Sequence, residues 1–241
     1  MRQVQLSYPH LFKPVPLMAF ITSCCWSPCK KAARLGRLRV RSAAPKQGVM
    51  SPGGNLVFKK SIGILLLFFP LLTWALYKPV RIVAPELNGV NCSSEKICVD
   101  DISKFDEVRH LYESSLLAVR KNAGALDKNP LIVFCSSLEC SNAFGLGNRS
   151  AMHLPVGIVI SPRAWKKYYI SHELIHQLQQ QEFGFLYFFQ KPKWYIEGMA
   201  YSLSQDPRAT LNEPFQEYRQ TFNAWLQKVG IENLWVLGHE L

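Results

Sequence analysis

The most constraining feature of this 241-residue chain is a pentad of the form H-E-x-x-H, residues 172–176, set inside a long helical pattern. Residues four apart lie one above the other on the same face of a helix. His172 and His176 can therefore offer two imidazole nitrogens to one metal ion. Glu173, beside them, can reach a water bound to that metal and accept its proton. The pentad thus predicts a catalytic metal centre on a helix.

The helix that carries the pentad is predicted from the residues at its two ends. Ser161 and Pro162 fit an N-cap followed by proline at the first helical position. No glycine or further proline occurs from there to Phe183, and Gly184 follows as a stop. We therefore predict a helix of about 22 residues with the pentad in its middle.

A catalytic zinc site needs a third protein ligand and an open fourth position. Glu182 follows the pentad, but on an unbroken helix its side chain points away from the two histidines. The metal-site pattern that would use this position has a glycine where this chain has Gln179. Glu197 is the better candidate, because residues 193–201 are predicted to form a second helix after the break at Pro192. The predicted zinc ligands are therefore His172, His176 and Glu197.

The pentad and the run W-x-x-E-G-x-A at 194–200, with 20 residues between His176 and Glu197, resemble the gluzincin metallopeptidases, in particular their small single-domain members. The likeness covers roughly residues 131–205 and is specific at the motif residues. It implies that the two histidines and Glu197 bind zinc and that Glu173 is the general base. It also implies an α+β fold, a zincin-like domain with a small mixed sheet, the H-E-x-x-H helix and a following helix with the glutamate ligand.

The resemblance is incomplete beside the ligands. Many gluzincins carry an Asp four residues after the glutamate ligand, which orients the first histidine, whereas this chain has Tyr201. We expect Asp206 or a backbone carbonyl to take that role. A further donor usually stabilises the oxyanion. Tyr201, Tyr218 and His239 are candidates that the sequence does not rank, and His153, in a predicted loop, is a weaker one.

Patterns of apolar residues and breakers predict the remaining elements. These are strands at 97–99, 131–134 and 156–160, helices at 105–123 and 214–229, and a long loop at 143–155. By the resemblance, residues 157–160 would form the edge of the sheet over the cleft and bind the substrate backbone by strand addition. An ordinary core strand fits that pattern equally well. The aromatic residues at 185–189 are expected to pack under the second ligand helix, with a membrane-facing or substrate-facing patch as the alternative.

The formal net charge of +11 does not indicate nucleic-acid binding, because of where it lies. Residues 1–60 hold 11 Lys and Arg and no Asp or Glu, and the remaining 17 basic residues are matched by 17 acidic ones. A basic patch on a folded domain, which is the usual footprint of nucleic-acid binding, is therefore not predicted. The oligomeric state is not predicted either.

The basic N-terminal part leads into an apolar run, residues 61–77, whose length is at the lower limit for a spanning helix. The positive-inside rule keeps its N-terminal side in the cytoplasm. We favour an uncleaved single-pass anchor in the inner (cytoplasmic) membrane, with the catalytic domain on the outer, periplasmic side. A signal peptide cleaved near Ala75 is the rival, and a buried core helix is the third interpretation.

These features divide the chain into four predicted parts. Residues 1–49 form a basic leader without a fold, 50–78 a signal anchor, 79–91 a linker and 92–241 the zincin-like domain. Met50 opens an ordinary export signal, so our hypothesis is that synthesis starts there and that the preceding stretch is not native. An organellar transit peptide is the alternative for that stretch.

Four cysteines lie in the predicted domain, in two close pairs. An oxidising compartment beyond a membrane favours disulfides, which we expect between Cys92 and Cys98 and between Cys135 and Cys140. A zinc site made of four cysteines would prefer C-x-x-C spacing, which these residues do not show.

The sequence thus predicts zinc-dependent peptide-bond hydrolysis by an exported, membrane-tethered metallopeptidase with one Zn²⁺ and a peptide or protein substrate. Glu173 would accept the proton of the zinc-bound water as it attacks the carbonyl and return it to the leaving amine. One alternative is a catalytically silent zincin-fold binding or assembly protein at the membrane. Another is a membrane-anchored structural factor in which the pentad is coincidental.

Overall fold

The computed structural model describes residue 69, residues 72–74 and residues 76–241. The leader predicted at 1–49 and most of the apolar run predicted as an anchor lie outside the described residues. Within the described part of the chain, no helix is both long enough and apolar enough to cross a membrane.

A mixed five-stranded sheet forms the centre of the fold. Its strands are β1 (Asn91–Cys92), β2 (Ile97–Val99), β3 (Ile132–Phe134), β4 (Ala151–Leu154) and β5 (Gly157–Ile160). They lie in the order β1-β2-β3-β5-β4, in which β2, β3 and β5 run parallel and the two edge strands run antiparallel to their neighbours. The prediction of an α+β chain with a small mixed sheet is confirmed.

Helices cover this sheet and build the C-terminal third of the chain. They are α1 (Phe105–Asn122), α2 (Leu138–Ala143), α3 (Lys167–Phe183), α4 (Tyr187–Gln190), α5 (Lys193–Leu203), α6 (Phe215–Val229) and α7 (Leu234–Glu240). Short 3₁₀ helices lie at Lys78–Val83, Pro85–Asn88, Ile102–Lys104, Pro162–Ala164 and Ile231–Asn233. Helix α1 makes the crossover that two parallel strands such as β2 and β3 require.

Each face of the sheet buries its own apolar cluster, because successive residues of a strand point to opposite faces. Helices α1, α3, α5 and α6 pack on one face, against Ile97, Val99, Ile132, Phe134, Ile158 and Ile160. Cys98, Val133 and Val159 point to the other face, where they meet Ile82, Val90, Phe144 and Met152. Residues 79–91, predicted as a linker, are therefore packed onto the sheet through Ile82 and Val90.

The apolar stripe predicted on α1 faces the first of these clusters. Val108, Tyr112 and Val119 are buried there, and Phe105, Leu111 and Leu116 pack against them. The hydroxyl of Tyr112 donates to the carbonyl of Pro130 at 3.1 Å, which ties the helix to the residues leading into β3.

Helix α3 begins later than predicted. The chain makes a 3₁₀ turn at Pro162–Ala164 and leaves helical geometry at Trp165, which has a ψ of 63°. The ring of Trp165 packs edge-on against Phe134, with 6.0 Å between the ring centroids. Ser161 makes no capping hydrogen bond, and the regular helix starts at Lys167, giving 17 residues instead of about 22.

The prediction of a long loop at 143–155 is wrong, and so is the prediction that residues 157–160 form the edge of the sheet. Ala151–Leu154 form β4, which pairs with β5 in a tight hairpin whose register joins Ala151 to Ile160. Strand β5 already has neighbours on both sides, so β4 is the edge. The pattern missed β4 because its residues, Ala-Met-His-Leu, do not alternate between apolar and polar.

Both predicted disulfides are confirmed. Cys92–Cys98 joins β1 to β2, and Cys135–Cys140 joins the end of β3 to α2.

The aromatic residues at 185–189 divide between core and surface. Tyr187 is buried and its hydroxyl donates to the backbone carbonyl of His176 at 3.1 Å. Phe185, Leu186 and Phe189 are exposed. Tyr187 is therefore part of the core, where it bonds the first ligand helix, and the expected packing is wrong for these three neighbours.

Candidate metal centre

The two histidines of the pentad and the glutamate of the next helix meet at one point. The Nε2 atoms of His172 and His176 are 3.1 Å apart, and Oε2 of Glu197 lies 3.7 Å from the first and 3.8 Å from the second. The three side chains are only 13%, 5% and 20% exposed. Helix α3 supplies the histidines at i and i+4, and α5 brings the glutamate across from the neighbouring helix.

This triangle fits a zinc ion. Zinc binds His nitrogen and carboxylate oxygen at about 2.0–2.2 Å with tetrahedral geometry, which places two ligand atoms about 3.3 Å apart. The three observed separations bracket that value within a few tenths of an ångström. Two imidazoles and one carboxylate are also a donor set that zinc uses in catalytic sites, with a fourth position left open.

A buried carboxamide orients the second histidine. Nδ1 of His176 lies 2.8 Å from Oε1 of Gln179, and Nε2 of Gln179 donates to the carbonyl of Ile196 at 2.9 Å. Since the carboxamide oxygen accepts, the proton is on Nδ1 and the Nε2 lone pair faces the metal position. Gln179, which is completely buried, thus links His176 to the residue just before Glu197.

Glu173 lies in the same cleft, beside the ligand triangle. Its side chain is enclosed, and this burial raises its pKa to about 7. The positive charge of His176 when protonated, the backbone N–H of His153 and Arg149 favour the carboxylate, while Glu197 opposes it. A carboxyl group with a pKa near neutrality can both accept and donate a proton at ordinary pH.

Two histidines of the cleft, His172 and His153, are kept neutral by their environment. Burial and the neighbouring His176 lower the pKa of His172 well below its usual value. The same two causes lower the pKa of His153 to about 3. Metal binding needs a neutral imidazole, so at neutral pH His172 requires no deprotonation before it can act as a ligand.

The backbone at Gly198, next to the glutamate ligand, allows α6 to approach α5 closely. A Cβ at this position would lie 2.3 Å from the carbonyl oxygen of Tyr218 and 2.6 Å from Cβ of Phe222. Only glycine fits such a distance. The glycine of the W-x-x-E-G run therefore fixes the packing of the helix that presents Glu197.

The cleft around this centre has a volume of about 400 Å³. Edge strand β4 contributes residues 151–153 to one wall, and α3 and α5 contribute the ligands. Tyr201, Arg208 and Phe215 also line it. The ring of Tyr201 lies 4.4 Å from that of His172, centroid to centroid.

Only some of the residues predicted to stabilise the oxyanion or to orient His172 are in a position to do so. Tyr201 and His153 line the cleft, whereas Tyr218 and His239 do not. His239 instead lies against the ring of Phe183, at the far end of α3. Asp206, the candidate for orienting His172, binds Arg208 through a bidentate ion pair.

Two residues of the site were missed by the sequence interpretation. Gln179 lies three residues after His176, so helix periodicity places it beside the ligand, but many glutamines with that spacing are simply exposed. Arg208 lies in a loop, where no periodic pattern predicts which side chain returns to the cleft.

Comparison of the chain with models of protein families, with curated proteins and with solved structures finds no match.

Proposed function

We propose that this chain is a zinc metallopeptidase of the gluzincin kind, with a zincin-like fold, in which His172, His176 and Glu197 bind the metal and Glu173 is the general base. The observation that carries the proposal is the convergence of the three ligand atoms, all within 4.8 Å of one another, beside an enclosed glutamate in an open cleft. A site that only stabilised the fold would have no need of Glu173.

Zinc at this site would lower the pKa of a water and polarise the substrate carbonyl. Glu173 accepts the proton of the attacking water at a carboxylate oxygen as the new O–C bond forms. It then donates that proton to the nitrogen of the leaving amine as the C–N bond breaks. Burial raises the pKa of Glu173, which favours the return of the proton to the amine.

Tyr201 is the donor we assign to the oxyanion. It lies against His172 in the cleft, and burial raises its pKa to about 12, so its hydroxyl is protonated at neutral pH. Such a donor, already in place, stabilises the charge that develops on the carbonyl oxygen.

The edge strand β4 is the surface to which we assign the substrate backbone. It contacts β5 on one side only, and its residues 151–153 line the cleft. An extended peptide can therefore add to it by main-chain hydrogen bonds. This assignment replaces the internal strand at 157–160.

We place the domain in an oxidising compartment on the outer side of the cytoplasmic membrane. Two disulfides within 50 residues support that location, because such bonds persist in exported proteins. The tether at residues 61–77 remains a prediction from the sequence.

The test uses the full chain loaded with zinc and a mixed library of unmodified peptides, with products identified by mass spectrometry. We expect cleavage by the wild type and a rate about 10²- to 10⁴-fold lower in Glu173→Gln, because the variant lacks the proton acceptor. Zinc content of the variant should remain that of the wild type, since Glu173 is not a ligand.

A zinc-loaded wild type that cleaves no peptide would contradict the proposal and favour the silent binding or assembly protein. Equal rates of cleavage by the wild type and by Glu173→Gln would show that Glu173 is not the general base.

A further inference from the structure

Arg208 lies in the loop after α5 and lines the same cleft as the metal ligands. Its Nε donates to the two carboxylate oxygens of Asp206 at 2.9 and 3.0 Å, and its Nη2 also donates to Oδ2. The carboxylate is almost fully buried, with 2% of the side chain exposed, whereas 39% of the Arg208 side chain is exposed. One edge of the guanidinium is therefore fixed inside the protein, and the rest is accessible.

Three aromatic rings surround this guanidinium. Its carbon lies 5.3 Å from the ring centroid of Tyr169, 5.6 Å from that of Tyr168 and 5.8 Å from that of Tyr201. Arg stacks well on aromatic faces and is weakly hydrated, so these contacts hold it in one orientation. Among the described residues, its Nη1 makes no hydrogen bond. A ligand would meet a donor group that is already ordered, which favours binding.

Tyr201 separates Arg208 from the metal ligands. Its ring lies 4.4 Å from the ring of His172, centroid to centroid, and 5.8 Å from the guanidinium carbon of Arg208. The guanidinium is therefore at most about 10 Å from the ring of His172. An extended peptide advances about 3.3 Å per residue, so one or two residues and an acidic side chain can cover this distance.

A second arginine adds positive charge to the cleft. Arg149, exposed just before β4, lines it and acts on the charge of Glu173. Its Nε and Nη2 donate to the carbonyls of Leu146 and Gly145. An anionic substrate group therefore enters a cleft lined by two arginines.

We propose that Arg208 forms a subsite for a substrate carboxylate one or two residues from the scissile bond. The inference rests on the proposed peptidase function and adds the class of substrate, peptides with an anionic group at that distance. The carboxylate can belong to an Asp or Glu side chain or to the C-terminus of the peptide, since both present the planar pair of oxygens that a guanidinium binds.

The experiment uses the full chain loaded with zinc and matched peptides of one neutral sequence with an amidated C-terminus. In one set, Glu replaces Gln at single positions on either side of the cleaved bond; in another, the terminal amide is replaced by the free carboxylate. We expect kcat/KM to rise about 10- to 100-fold for at least one carboxylate peptide over its neutral partner, the range of a hydrogen-bonded charge pair. The set that responds identifies the source of the carboxylate.

The variant Arg208→Gln should reduce the ratio of kcat/KM between carboxylate and neutral peptides to near one. Arg208→Lys should leave an intermediate ratio, because lysine keeps the charge but not the paired N–H donors of the guanidinium. Arg163→Gln, which removes an exposed arginine outside the cleft, is the control for net charge and should leave the ratio unchanged. Zinc content confirms that each variant is folded at the site.

A wild type that cleaves neutral and carboxylate peptides equally would overturn the subsite and leave the proposed function intact. The subsite would also be overturned if Arg149→Gln abolished the preference for the carboxylate peptide and Arg208→Gln preserved it. Binding of the same peptides to zinc-loaded Glu173→Gln separates the two claims further. A tenfold tighter binding of the carboxylate peptide there, with no cleavage by the wild type, would support the subsite and contradict the peptidase. The comparison of peptides on the wild-type chain needs no variant that might fail to fold.

Discussion

At the scale of single residues, the proposed centre depends on a glutamine as well as on the three proposed ligands. The carboxamide of Gln179 accepts from His176 and donates to the carbonyl of Ile196. One buried side chain thus fixes the tautomer of His176 and holds the residue that precedes Glu197. Groups that orient metal-binding histidines typically change metal affinity 10- to 100-fold when they are removed. Gln179 lies on the same helix as the histidine that it orients.

We predict that Gln179→Leu weakens zinc affinity about 10- to 100-fold, because Nδ1 of His176 loses its acceptor. Competition with a chelator of known affinity measures the change. Gln180→Leu is the matched control, since the side chain of Gln180 donates instead to the carbonyl of Pro155. Unchanged zinc affinity in a folded Gln179→Leu protein would show that the tautomer is set by another group.

The convergence of the two histidines could be predicted from the sequence because their spacing has a geometric meaning. Residues four apart share a helix face, which brings His172 to His176 whatever the rest of the chain does. Gln179 and Arg208 could not be predicted in the same way. Their roles depend on which carbonyl or carboxylate of another element comes within reach, and that is decided by tertiary packing.

At the scale of elements, the position of Glu197 depends on how closely α6 packs on α5. The contact is made at Gly198, where the carbonyl of Tyr218 occupies the space that a side chain would need. Tyr195 and Trp225 continue the same interface, with their rings perpendicular and 5.2 Å between centroids.

Gly198→Ala should therefore destabilise the protein although alanine favours helices. In an exposed helix the change would stabilise by about 0.5–1 kcal/mol. Here the overlap with Tyr218 and Phe222 must be relieved by moving α6, and such overpacking typically costs about 1–3 kcal/mol. Thermal or denaturant unfolding measures the difference.

Asn223→Ala, at an exposed position of α6, is the control and should leave the free energy of unfolding nearly unchanged. A Gly198→Ala protein as stable as the wild type would mean that the two helices can separate at no cost, and that Glu197 is less firmly placed than the structure indicates.

Elements with a strong pattern were predictable, and short ones were not. Helix α1 has five turns of regular apolar spacing, and its predicted limits agree with the structure to one residue. The start of α3 was misplaced because Ser161 and Pro162 begin a 3₁₀ turn, whose first residues have the same preferences as those of an α-helix. Strand β4 is recognisable only through its pairing with β5.

At the scale of the whole molecule, the proposed metal joins two parts of the chain. Twenty residues lie between His176 and Glu197. The metal would link α3, which packs on the sheet, to α5, which packs on α6. A ligand that binds only the folded state stabilises it, by about 4 kcal/mol when its concentration is a thousand times the dissociation constant. Zinc should therefore raise the thermal stability of the chain as well as support catalysis.

The most direct test of the account is the zinc content of the purified full chain, measured together with its unfolding temperature, for the wild type and for Glu197→Ala. We predict about one zinc per wild-type chain and a higher unfolding temperature with the metal than after chelation. In Glu197→Ala, both the bound zinc and the stabilisation should be lost or greatly reduced. A folded wild-type chain that stays free of metal when zinc is offered would contradict the three-ligand centre, and with it the peptidase.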